Sequence, residues 1–159
     1  MNDSPVRIEL GRWETMRAAA VPIRHAVFVE EQRVPIELEL DAQDADSLHA
    51  VAFDEKGRAV GTGRLLPDAH IGRMAVLSHA RGRGVGAALL LALMQAACDR
   101  GMTKVALNAQ VSATGFYARY GFEPYGPTFL DAGIAHQAME RSLVSDAGPL
   151  DATNQSKGL

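Results

Sequence analysis

Leu77-Ser78-His79-Ala80-Arg81-Gly82-Arg83-Gly84-Val85-Gly86-Ala87 joins two segments of different period. Before it, His70 to Leu77 reads as a strand; behind it, a helix is expected from about Gly84 to Arg100. Leu91, Met94 and Cys98 share one stripe of that helix, and Val85, Leu89, Leu93 and Ala96 share another. Such a helix is covered nearly all round, as when it packs on a sheet, and Gly101 stands where a C-terminal cap belongs. Glycines in a strand-to-helix turn let backbone N–H groups converge on a ligand, and the helix N-terminus adds partial positive charge. Arg81 and Arg83 flank those amides where they can neutralise phosphate oxygens. The turn therefore reads as a pyrophosphate cradle; the alternative is a tight connection without a ligand. A Walker loop would need a Gly-Lys pair opening the helix, which is missing. A dinucleotide fingerprint would need a third glycine where Leu89 stands, and an acid near Leu107-Asn108-Ala109. R-x-x-G-x-G remains, as Arg81, Gly84 and Gly86.

Working outward, Val6 to Leu10 alternates as a half-buried strand, and Trp13 to Glu31 is helical with an interruption at Pro22. That interruption predicts a kinked helix or two short ones. Residues Gln32 to Ser47 are acid-rich, carry Arg33 as the one base and show little periodicity, so a long solvated surface loop is expected. Leu48 to Asp54 alternates, Asp54 to Arg58 supplies a turn and Ala59 to Leu66 returns, which predicts a hairpin, with His70 to Leu77 as the next strand. After the long helix come a strand over Thr103 to Asn108 and a short helix over Ser112 to Tyr120, with Ser112 placed to cap it. Strands starting at Phe122 and spanning Ala135 to Val144 follow. Hairpins mixed with strand–helix–strand passages give an α/β class with a mixed sheet. Residues 1–144 read as one domain, and 145–159, rich in Ser, Asp, Gly and Asn, as a disordered tail.

Composition bounds the function. With 159 residues, 47% hydrophobic and 22% charged, the chain is a folded domain of ordinary make-up. A net charge of −3 gives no footprint for nucleic acid or for an anionic membrane surface. One cysteine, no signal-peptide pattern and no apolar run beyond about half a membrane span point to the cytoplasm. The histidines and Cys98 show no metal-ligand spacing, so no metal is expected. Cys98, on an apolar stripe, reads as a buried inert thiol.

The stretch Ile71 to Gly86 with its apolar helix resembles the acyl-CoA site of the GNAT superfamily of N-acetyltransferases. Ala106-Leu107-Asn108-Ala109-Gln110 and Phe116-Tyr117-Ala118-Arg119-Tyr120-Gly121-Phe122 are similar to that family's later strand, short helix and aromatic segment. Arg24-His25-Ala26-Val27-Phe28-Val29-Glu30-Glu31-Gln32-Arg33-Val34-Pro35 and Phe129 to His136 resemble its ElaA-like branch. Together the matched segments span Val6 to Val144.

The resemblance implies a mostly antiparallel sheet with a splayed central strand pair, flanked by helices. It implies acetyl-CoA as co-substrate, with Met74, Ala75 and Val76 along the pantetheine arm. The pyrophosphate would lie on Arg81, Gly82, Arg83, Gly84, Val85, Gly86 and Ala87, and Asn108 would hydrogen-bond the pantetheine or the acceptor, or serve only as a strand-end turn residue. One of the free N–H groups near Met74 to Val76 would polarise the thioester carbonyl, and Tyr117 would protonate the departing thiolate. Many relatives carry a glutamate on the strand before the turn; Gly72 stands there, followed by Arg73. The base is therefore open between water, Glu30, Glu31 and His136. Arg24, Arg64 and Arg73, with Glu31 and His136, are the candidates for an acceptor pocket, the arginines favouring a carboxylate or phosphate on the acceptor. The acceptor implied is a small-molecule primary amine. A non-catalytic CoA-sensing domain on the same fold, or transfer to protein N-termini or lysines, are the alternatives, and dimers are frequent among such families.

Overall fold

The structure is a computed structural model and describes residues 6–39, 41–145 and 148–149. It divides into two compact units, residues 1–67 with 71–93 and residues 68–70 with 94–159.

In the first unit, β1 (Arg7–Arg12), β2 (Leu48–Phe53), β3 (Ala59–Leu65) and β4 (His70–Val76) pair antiparallel in that order. The expected strands are all present within one or two residues. Asp54 closes the β2–β3 turn by accepting from the Lys56 and Arg58 amides at 2.9 Å each, and Gly57 takes a φ of 78° there. Helix α1 (Trp13–Arg24) runs through Pro22 without breaking. The change expected at the proline comes three residues later, where His25–Glu31 winds as a π-helix. Its wider turn shows in the Gln32 amide, which donates to the Val27 carbonyl five residues back at 3.0 Å.

Between Gln32 and Ser47 the chain forms helix α2 (Ile36–Glu39) and a 3₁₀ turn over Ala42–Asp46, opened by Asp41 accepting from the Gln43 amide. Glu39, Asp44 and Ser47 are buried, which corrects the reading of this segment as solvated. Helix α3 (Val85–Asp99) follows the glycine turn. A Cβ at Gly61 would come within 2.9 Å of Val85 Cγ1 and 3.0 Å of Leu89 Cδ1, and one at Gly63 would overlap Met74 Sδ. These two glycines let α3 lie close on β3. Leu89, Leu90 and Leu93 are fully buried as a result.

Opposite Gly63, β4 carries one residue too many. Thr62 faces Ala75 and Arg64 faces Gly72, so Arg73 and Met74 share a single partner position. Arg73 has a φ of 51°, which makes this a β-bulge whose first residue is left-handed, a conformation that favours glycine.

In the second unit, β5 (Lys104–Gln110) pairs antiparallel with β8 (Ile134–Ser142), which also pairs with β6 (Glu123–Pro124) and β7 (Phe129–Asp131). Val105, Leu107 and Ala109 point to the core, with Phe122, Met139 and Leu143. Strand β7 was not foreseen; it returns to β8 through Ala132-Gly133, both at positive φ, 53° and 79°. That pair is the left-handed signature of a two-residue hairpin turn. Gly101 ends α3 as expected, at a φ of 80°, and the Met102 amide reaches back to the Ala97 carbonyl.

The short helix differs from expectation: a 3₁₀ turn over Val111–Ala113 leads into α4 (Thr114–Ala118), whose first turn has no side-chain cap. Ser112 lies inside the 3₁₀ turn. Cys98 is half-buried rather than buried. Of the expected tail, Ser145 with Val144 pairs with Gly148–Pro149; residues 146–147 and 150–159 lie outside the described residues. Among the described residues no helix is long and apolar enough to cross a membrane.

Candidate active site

The glycine turn stands open. Arg81, Gly82, Arg83 and Gly84 are exposed, and Val85, the first residue of α3, is buried beneath them. Gly82 and Gly84 both take a φ of 80°, and nothing lies within 4 Å of a Cβ built at Gly82. Backbone conformation, not crowding, therefore selects glycine there. The first bond of α3 runs from the Ala88 amide to the Gly84 carbonyl at 3.0 Å. Helix geometry leaves the Val85, Gly86 and Ala87 amides without intrahelical acceptors. An anion fits this end of α3.

The Arg81 side chain is already occupied. Its two terminal nitrogens donate to the Glu31 carboxylate at 2.8 and 2.7 Å, and its Nε donates to the Val76 carbonyl at 2.9 Å. The guanidinium thus ties the end of β4 to the end of the π-helix. Hydrogen bonding to Arg81 holds the Glu31 carboxyl below its usual range, and Glu31 raises Arg81 in turn. Glu30 lies nearby in sequence but faces solvent, 3.7 Å from His25 Nδ1.

On β4, Ala75 is buried against Ile23 and Val27, while Met74 reaches the opposite face, over Gly63. Met74 and Val76 are half-buried.

Arg24, Arg64 and Arg73 come together, and three acids from the segment after the π-helix come with them. Arg24, 1% exposed, donates to Asp44 Oδ1 at 2.8 Å, to Asp44 Oδ2 at 3.1 Å, to the Glu39 carbonyl at 3.1 Å and to the Glu39 carboxylate. Arg64, 4% exposed, donates to Asp44 Oδ1 at 2.7 Å and to both Asp41 oxygens at 2.8 and 3.0 Å. Arg73 donates to Asp41 Oδ2 and to the Glu39 carbonyl, each at 3.0 Å. Among the described residues three cations meet three carboxylates, a formally balanced group.

Hydrogen bonding from Arg64 holds Asp41 below the usual carboxylate range. Burial alone would raise Asp44, but Arg24 and Arg64 together outweigh it and bring it down. His49 sits beside them, 1% exposed, with its ring 4.7 Å from Trp13. Its Nε2 donates to the Asp44 carbonyl at 2.9 Å, and burial lowers its pKa, keeping it neutral. Sequence reading missed Glu39, Asp41, Asp44 and His49. The available signal was the match of three acids in six residues to three arginines scattered over three other elements.

The remaining candidates lie in the second unit. Tyr117, on α4, packs edge-on against Phe116 and Phe122, with ring centroids 5.0 and 6.0 Å away. Burial pushes its phenol up to about 12. Asn108 is exposed on β5 opposite Ala138. His136, on β8 opposite Gln110, has its ring stacked on Phe129 and its Nδ1 2.7 Å from the Ile134 carbonyl.

The family described as the acetyltransferase (GNAT) domain matches residues 14–143. A Bacillus subtilis protein named as the uncharacterized N-acetyltransferase YjcF is 40% identical over 121 residues, covering 74% of this chain and 86% of that protein. The crystal structure of a putative N-acetyltransferase from Lactobacillus plantarum superposes with a TM-score of 0.81 at 30% identity, covering 87% of this chain and 99% of that one. Escherichia coli ElaA superposes at 0.76 with 26% identity, covering 86% and 99%. The fold is thus the expected α/β one, mostly antiparallel strands flanked by helices. The chain belongs to the GNAT acetyltransferase family, and it is an acetyl-transferring enzyme.

Proposed function

We propose that the chain transfers an acetyl group directly from acetyl-CoA to the primary amine of a small molecule in the cytoplasm. The observation that carries this reading is the open turn at the start of α3: two left-handed glycines feed three amides without intrahelical acceptors. The donor's pyrophosphate belongs on the amides from Arg81 to Ala87. Its pantetheine arm belongs along Met74 to Val76, where the bulge takes a residue out of the ladder. Arg81 contributes through its backbone and through the tie between Val76 and Glu31, and Arg83 is the exposed cation beside the phosphates.

In the reaction the neutral amine attacks the thioester carbon, a C–N bond forms, and collapse of the tetrahedral adduct breaks the C–S bond. The sulfur leaves as a thiolate and the nitrogen gives up one proton. Tyr117 donates to the sulfur, and the proton released by the amine restores the phenol. With the phenol up to about 12 and a thiol near 8.5, transfer even to the fully formed thiolate is uphill by roughly 3–4 pK units, about 5 kcal/mol, and to sulfur still bonded to carbon it is more so; return of the amine's proton to the phenol draws it forward. Donation therefore tracks C–S cleavage as charge builds on sulfur.

Isothermal titration with acetyl-CoA tests the donor, and thiol release over a panel of small amines and lysine-bearing peptides tests transfer. Tyr117→Phe is expected to keep acetyl-CoA affinity and to lower kcat roughly 100-fold. Unchanged turnover removes Tyr117 from the reaction. Binding without thiol release across the panel favours a CoA-sensing role, and release confined to peptides moves the acceptor to protein amines.

A further inference from the structure

We infer that Asp41 and Arg73 are positioning residues, which hold the β4 bulge in the shape that receives the acyl donor. The inference rests on the reading of Met74 to Val76 as the donor's strand. Residue 73 is left-handed at a φ of 51° although it is not glycine, a conformation that an L-residue leaves when nothing holds it. What holds it is its own guanidinium. Arg73 Nη2 is fixed on Asp41 Oδ2 and Nε on the Glu39 carbonyl, acceptors 32 and 34 residues earlier in the chain.

Neither acceptor can follow the arginine if it moves. Asp41 is gripped on both oxygens by Arg64 and caps the Gln43 amide with Oδ1. The Glu39 carbonyl also accepts from Arg24 at 3.1 Å. Arg24 and Arg64 are in turn locked by Asp44. Arg73 thus reaches from the strand to two points that buried cations hold still. Without that grip, β4 could slide into an ordinary ladder, and the residues after 73 would exchange faces. Met74 would leave Gly63 and Ala75 would leave Ile23 and Val27.

Two substitutions at one position separate the grip from any direct contact with ligand. Arg73→Ala loses the grip and still carries a Cβ, so the left-handed conformation is unsupported. Arg73→Gly loses the grip but accepts that conformation freely. Acetyl-CoA affinity is measured by titration, and amide exchange at Met74 and Ala75 is compared with Val51 in β2 as an internal reference. For Arg73→Ala we expect affinity about tenfold weaker and exchange at Met74 and Ala75 about tenfold faster. Arg73→Gly is expected to restore both to within about threefold of wild type.

Equal losses in the two variants would mean that the side chain itself contacts the donor, and would overturn the inference. No change in either would show a bulge that needs no grip, and would also overturn it. If the wild type fails to bind acetyl-CoA, the donor reading falls, while the exchange contrast between the two variants still decides the positioning role.

Discussion

Asp44→Asn tests the buried charge group most directly. The carboxylate is 2% exposed and bonded by Arg24 and Arg64, themselves 1% and 4% exposed. Asn keeps the size and one acceptor oxygen but leaves three guanidiniums facing two carboxylates. Removing one partner of a buried ion pair costs about 3–5 kcal/mol, because the charge left behind is uncompensated. In a chain of this length each kcal/mol moves the melting temperature by about 2–4 °C, so a drop of roughly 6–20 °C is expected. The control is Glu9→Gln in the Arg7–Glu9 pair, whose side chains are 59% and 43% exposed; there the cost is about 0.5 kcal/mol or less. Calorimetric melting of the two variants beside the wild type at pH 7.5 and 150 mM salt is the assay. An Asp44→Asn midpoint within about 3 °C of wild type would refute the argument that this carboxylate is buried among charges that need it.

The same group sets the acid response. Asp41 and Asp44 titrate below their unfolded values, so the stability they supply is complete above about pH 4 and is lost as pH falls further. His49 is also lowered, from 6.5; the folded state resists its proton, so stability starts to fall as pH drops below about 6.5. Urea midpoints from pH 7.5 to 5 should therefore decline, and His49→Leu should flatten that slope. Ala132→Asn should raise the melting point by about 1–4 °C, since the left-handed turn position costs alanine more than asparagine; a lower midpoint would contradict the turn. Gly61→Ala should cost about 1–3 kcal/mol in urea unfolding, because its Cβ must displace Val85 and Leu89. With the Tyr117 phenol up to about 12, kcat/KM should show no loss from phenol ionisation below about pH 10. A falling limb at lower pH would assign a more acidic group to that role.

Local patterns made most of the fold legible. Period-2 alternation marks β1 and β2, turn residues around Asp54–Arg58 and Pro67-Asp68 set off β3 and β4, and the helix after the turn is visible because its apolar residues require cover by a sheet. The turn itself was legible because Gly82 and Gly84 use a backbone conformation that other residues avoid, so the residue type reports the geometry. Where the residue type does not report it, reading failed. Arg73 and Ala132 are left-handed without being glycine, and the bulge and the β7–β8 hairpin went unseen for that reason. Pro22 signalled a break that α1 did not take, since the helix continued past the missing donor and widened only at His25.

The acidic segment failed for a different reason. Residues 32–47 look solvated because nothing local distinguishes an acid facing water from one facing an arginine on a distant strand. Glu39, Asp41 and Asp44 find Arg24, Arg64 and Arg73 only after β3, β4 and α1 have assembled. Stability alone does not explain why charges fill that place: a balanced ion cluster can often be exchanged for apolar side chains of equal volume at no loss. Apolar packing, however, constrains volume more than direction. A leucine at position 73 could fill the same space at a negative φ, while a guanidinium bonded through Nε and Nη2 to two anchored oxygens fixes both the side chain and the backbone that carries it. The arginines and acids are therefore best understood as the parts of this core that specify direction, at the one point of β4 where direction differs from that of an ordinary strand.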